Sequence, residues 1–326
     1  MRRILTLSIL ACAAAGAGAS ALGALDACVP ADNRPVPGSL TVTVSPSPAV
    51  ANGVVTDDGW SITFERVLVG IGGARLADTC LSYSEASYDR VLDVTSKSNQ
   101  KLSITYAIGR CDFRFRIGPP SADALLGEGV TEGQKTVLRT PGKDPYVARG
   151  GIAFSIAGAA TRGAVTKRFE LLFRPRVRYQ NCQPYAPDAG VAIDLPSEGA
   201  LAYDIRIEAE AMLRDDVDAT TAKLRFEPFA GADTDGDGFV TLDELRRVPI
   251  ATVRDAGAFE TGTYEFDDDG GTIRQGKPIV ISTLGDYVYE LLVPSIPRFR
   301  DVGACSIGVG GRGGLGDAGT GGGPTN

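Results

Sequence analysis

The sequence predicts a mainly β fold, a β-sandwich or jelly roll with few short helices. Two observations carry this. Apolar and polar residues alternate with a period near two through much of 40–215. Gly, Pro, Asn and Asp interrupt the alternating runs at short intervals, as turns require. In an extended segment such alternation sends every second side chain to one face, so each run buries one face and wets the other. The runs at 39–44, 60–69, 101–108, 111–117, 151–160, 165–173 and 201–213 fit the pattern and are rich in β-branched and aromatic residues. Helical spacing is sparse. Residues 121–129 read as a short helix with Ser121 as its cap. At 283–292, Thr283 and Asp286 form a variant of the capping box. Leu284, Tyr287, Val288, Leu291 and Leu292 then recur at helical spacing until Pro294.

The chain divides into four stretches. Residues 1–28 have the parts of an export signal: Arg2 and Arg3, an apolar run from Ile4, then small residues up to Cys28. The run is about as long as the ~20 residues a membrane span needs, but the Ala and Gly of its second half suit cleavage better. "LDAC" at 25–28 resembles the lipobox of bacterial lipoproteins, with Leu25 and Ala27 matching and Asp26 departing. The resemblance implies that Cys28 becomes a lipidated first residue, on the outer face of the cell envelope or in the periplasm. Cleavage after Ala21 is the other reading. Residues 29–50 are a Pro-rich tether and a first strand, 51–305 a disulfide-bonded β-domain, and 306–326 a Gly-rich disordered tail. Of six cysteines, Cys12 leaves with the signal. If Cys28 carries lipid, Cys80, Cys111, Cys182 and Cys305 remain, an even set that forms two disulfides in one of three pairings.

The stretch "DTDGDGFVTLDE" at 233–244 places Asp233, Asp235 and Asp237 at alternate positions, Gly238 sixth, Phe239 seventh, Val240 eighth, Thr241 ninth and Glu244 twelfth. It resembles the calcium loop of the EF-hand, in a single copy. The resemblance implies calcium as the ligand, a hard cation that takes six to eight oxygens at about 2.3–2.6 Å. Asp233, Asp235 and Asp237 each offer one short-armed oxygen. Gly238 permits the bend that turns the Phe239 carbonyl inward. Thr241 ligates directly or through a water, Glu244 supplies two oxygens, and Val240 anchors the loop. The exiting segment reads as a short helix capped by Thr241 and ended by Pro249. The entering segment reads as a strand ending near Pro228. A single loop grafted into a β-domain points to a structural ion.

A net charge of −7 argues against nucleic acid as a partner and against electrostatic attachment to anionic lipid. The chain has no histidine, which excludes Ser-His-Asp and Cys-His catalysis and every His-ligated metal site. No catalytic residue is assigned, and a non-enzymatic role is expected. The alternative is a calcium-braced carbohydrate-binding module or a carbohydrate-active enzyme with a carboxylate pair. The acidic runs at 56–60, 214–218 and Asp267–Asp269 read as solvated turns. Arginines alternate at Arg114 and Arg116, at Arg174, Arg176 and Arg178, and at Arg298 and Arg300. They read either as charges that protect a sheet face or as forked donors for an anionic ligand such as a sulfated or uronic sugar.

Overall fold

The computed structural model describes residues 34–77, 80–83, 88–95, 99–142, 151–180, 182, 193–217, 219–253, 262–264, 279–299 and 305–309. Residues 1–33 with Cys28, the acidic run Asp267–Asp269, Arg300 and the residues beyond Val309 lie outside them. The first part of the chain forms β1 (Gly38–Pro46), α1 (Pro48–Asn52), β2 (Val54–Val55), β3 (Ser61–Ala77), β4 (Leu81–Ser82), β5 (Arg90–Asp93), β6 (Gln100–Ile117), β7 (Leu125–Leu126) and α2 (Glu132–Arg139). Next come β8 (Phe154–Arg162), β9 (Val165–Phe173), β10 (Val177–Gln180), β11 (Ile193–Leu195), β12 (Ala200–Ile207), α3 (Glu227–Ala230), β13 (Phe239–Thr241), α4 (Leu242–Leu245) and α5 (Ile250–Val253). The last are β14 (Gly262–Tyr264), β15 (Ile279–Ile281), α6 (Leu284–Tyr287), β16 (Pro297–Phe299) and β17 (Ser306–Val309).

The chain is mainly β. Its strands form one curled mixed sheet in the order β13–β9–β8–β3–β6–β1–β12–β16, with β10 and β11 beside β6 and β17 beside β10. Two long strands allow the curl. β6 pairs with β1 through its first half and with β3 through its second, so it hands the sheet from one set of neighbours to another. The pairs β1–β12 and β9–β13 are parallel, and the rest of the order is antiparallel. Alternation sets what is inside. In β6, Cys111, Phe113, Phe115 and Ile117 are buried while the residues between them stay partly open. Trp60, Phe64, Phe169, Phe226, Phe299 and Tyr179 join one continuous core, in which Phe115 stacks on Tyr179 and Phe113 on Phe299.

Three expectations change. The helix read at 121–129 is absent: Leu125–Leu126 form β7, which pairs in parallel with β5. The helix comes later, as α2, because Thr131 and Gln134 make a complete capping box there. Residues 201–213 do not stay extended: β12 ends at Ile207, and Ala209–Leu213 form a 3₁₀ turn, buried at Ala209, Ala211, Met212 and Leu213. Ser306–Val309, at the start of the expected tail, form β17 against β10. The box at Thr283 and Asp286 does begin α6, which runs on as a π turn over Val288–Leu292.

The disulfides are Cys80–Cys111 and Cys182–Cys305, one of the three possible pairings. Two disulfides point to an oxidising, extracellular environment. Among the described residues no helix is long and apolar enough to cross a membrane.

Candidate metal centre

The loop at 233–244 rests on an aromatic cluster. Phe226 lies 5.3 Å from the Trp60 ring, 5.8 Å from Phe169 and 5.6 Å from Phe229, centroid to centroid. Phe226 immediately precedes α3, a single turn that carries Phe229. The entering segment is therefore a short helix where a strand was expected. Its start is fixed from far along the chain: Asp58 accepts from the backbone N–H of Phe226 at 2.8 Å and of Glu227 at 2.7 Å. Asp57 accepts from the Leu224 N–H at 2.8 Å. The Trp60 indole donates to Glu227 at 2.8 Å, which closes the link. The acidic run at 56–60, expected to be a solvated turn, thus does the work of a helix cap. In the run at 214–218, Asp215 is buried, accepts from the Lys223 N–H at 2.8 Å and pairs with Arg225.

From Ala232 the chain turns sharply. Asp233 accepts from Gly236 N–H and Gly238 N–H, each at 2.9 Å. Asp235 accepts from Asp237 N–H at 3.2 Å, and Asp237 from Phe239 N–H at 2.7 Å. Each carboxylate thus folds the backbone around itself. The outcome is that Asp233, Asp235 and Asp237 each bring an oxygen within 4.8 Å of the other two. Gly238 stands at φ +82°, in the left-handed region that side chains disfavour. Gly238→Ala is expected to destabilise the protein by about 1–2 kcal/mol, read by urea unfolding. Free space surrounds that position, so the cost comes from the backbone alone.

The loop leaves through β13. Its residues pair with Arg168, Phe169 and Glu170 of β9, and the Gly238 carbonyl accepts from Arg168 N–H at 2.8 Å. Val240 is fully buried in the core, as an anchoring position should be. Thr241 then caps α4. Its N–H and hydroxyl both donate to Glu244 Oε2 at 2.8 Å. The structure therefore brings together three of the six expected ligands, while Thr241 and Glu244 face each other in a capping box and Phe239 sits in β13.

Lys167 was not legible as part of this site. It projects from β9, and its ammonium pairs with Asp233. That contact holds the Asp233 carboxyl below the usual carboxylate range; the N–H donors of Gly238 and Gly236 assist, and burial opposes. A carboxylate with a depressed pKa keeps its charge, and its share of the site, through the pH range in which an ordinary carboxylate is protonated. It loses them only as pH falls through its lowered value.

No protein-family model, curated protein or solved structure matches the chain.

The donors themselves limit the chemistry. Each of the three carboxylates offers a hard oxygen, with no imidazole or thiolate in the group. Such a set suits calcium or magnesium over zinc or copper. The two differ in what they demand: magnesium needs near-ideal octahedral geometry and keeps most of its water, while calcium accepts irregular sets of oxygens.

Proposed function

We propose that this chain binds one calcium ion at 233–244, and that the ion braces the protein. The observation that carries the reading is the convergence of Asp233, Asp235 and Asp237 in a loop whose bend is made by Gly238 and whose anchor is Val240. Asp233, Asp235 and Asp237 would hold the ion with the Phe239 carbonyl and Thr241. Glu244 would join through Oε1, or by trading its bond to Thr241. Calcium would supply the positive charge that three adjacent carboxylates otherwise lack, beyond what Lys167 provides. The role is structural, since one loop joined to β9 offers no second loop to move against. The leader and the two disulfides support export, and the lipobox-like residues before Cys28 support a lipid anchor there.

Calorimetric titration of calcium into the full-length protein tests the reading. One site is expected, in the range of about 10⁻⁴ to 10⁻³ M that serves extracellular modules. No heat and an unchanged Tm at millimolar calcium would defeat it. The same titration probes Lys167. Lys167→Met removes a competing charge and is expected to tighten binding about two- to fivefold. Unchanged affinity would mean that the ammonium leaves the site without cost.

A further inference from the structure

A second polar site lies away from the calcium loop. Four arginines line a groove of about 500 Å³ over β3, β6 and β10. Arg114 and Arg116 stand two apart on β6, so they share a face. Register adds the others. Arg75 on β3 lies directly opposite Arg114, and Arg178 on β10 lies directly opposite Arg116. Both strands also pair with Ile117, from opposite sides, so β6 runs between them. The expected basic stripe is thus assembled from different members than the sequence pattern implied. Arg75 joins it, Arg174 instead donates to the Thr140 carbonyl at 3.0 Å, and Arg298 lies 3.6 Å from Glu208 on the far side of the sheet order.

Like charges directly opposite across strands destabilise a sheet, and here this happens twice side by side. Asp89 answers one of the four: both of its oxygens accept from Arg116, at 2.7 and 2.6 Å. That carboxylate sits so close over Gly72 that a Cβ there would overlap it, so the backbone is shaped to hold the pair. Asp123 is the other acid of the lining. Among the described residues, the side chains of Arg75 and Arg178 make no hydrogen bond or ion pair, and both residues are exposed. Strand spacing of about 4.8 Å and a rise of about 3.4 Å per residue set their Cα atoms roughly 12 Å apart, diagonally across the groove. Tyr88, 59% exposed, stands in the same lining and offers a ring face.

We propose that this groove binds an acidic polysaccharide, a sugar chain bearing carboxylate or sulfate groups. Two unanswered guanidiniums so far apart suit charges repeated along a chain better than one small anion. Each guanidinium offers a fork of donors that fits a carboxylate or sulfate. The tyrosine ring provides an apolar surface for the face of a sugar. The surrounding chain carries a net charge of −7, so attraction for an anionic polymer is confined to the groove.

The test uses the full-length protein and five probes: heparin oligosaccharides, polygalacturonate, neutral dextran, single-stranded oligo-dT and inorganic sulfate. Binding to heparin or polygalacturonate is expected to weaken with added salt, and dextran is expected to stay unbound. The stronger of the two acidic polymers identifies sulfate or carboxylate as the recognised group. The double variant Arg75→Gln, Arg178→Gln is expected to lose about tenfold or more in affinity at unchanged Tm and unchanged calcium binding, since neither side chain has a partner to lose among the described residues. Full binding by the double variant overturns the proposal. So does failure of both acidic polysaccharides to bind, oligo-dT binding as tightly as they do, or sulfate alone competing at equal affinity.

Discussion

Saturating calcium is expected to raise the Tm of the protein by roughly 3–11 °C, and Asp235→Ala to abolish that rise. The size follows from linkage. A ligand present at about ten to a hundred times its Kd adds roughly 1.4–2.7 kcal/mol to the folded state, and a domain of this size gains roughly 2–4 °C per kcal/mol. Asp235 is a better choice than Asp233. Asp233 also holds Lys167 and two backbone N–H groups, so its loss would disturb the loop with or without an ion. Asp235 accepts only one long bond. Glu244→Gln makes the second arm. An amide at that position still accepts from Thr241 and keeps the capping box, so Tm without calcium should stay as it is while affinity falls. A calcium-dependent rise that survives in both variants would show that the ion binds elsewhere.

Phe226→Ala is expected to cost about 3–5 kcal/mol, the usual range for emptying a buried aromatic site, measured by urea unfolding. Phe226 is fully buried and touches three other rings, so little can collapse into the space it leaves. It also stands just before α3, where its own N–H is held by Asp58. The loss should therefore reach the loop, and calcium affinity should fall with stability. Phe226→Leu fills most of the volume and should recover most of both. A cost below about 1 kcal/mol for the alanine variant would mean that the loop does not depend on the cluster.

Much of this was legible in the sequence, for local reasons. Strands such as β8, β9 and the second half of β6 declare themselves because one face meets the core. The three aspartates converge because their spacing and the turn at Gly238 are set within a few residues. What was hidden depends on distance along the chain. Asp57 and Asp58 look like a turn until α3 arrives from more than 160 residues away to be capped. Lys167 meets Asp233 across a separation of 66. The alternation of β3 reads as ending at Val69, because the glycines after it look like a turn. In the structure it continues to Ala77, with Gly72 keeping room for Asp89. The helix at 132–139 is short, and the box of Thr131 and Gln134 is its one clear local mark.

The pairing of β13 with β9 has a consequence for how the chain behaves among its own copies. β13 is the outermost strand at one end of the sheet order and covers only the middle of β9. An uncovered strand edge is a template for another chain. The acidic loop is thus also a cover on an open margin, and among the described residues Gly238 to Thr241 are what bonds to it. Anything that loosens the loop bares a row of unpaired backbone groups beside the apolar side chains of Leu171 and Phe173. The damage would then show itself as clouding of a concentrated solution, before any loss of the folded core.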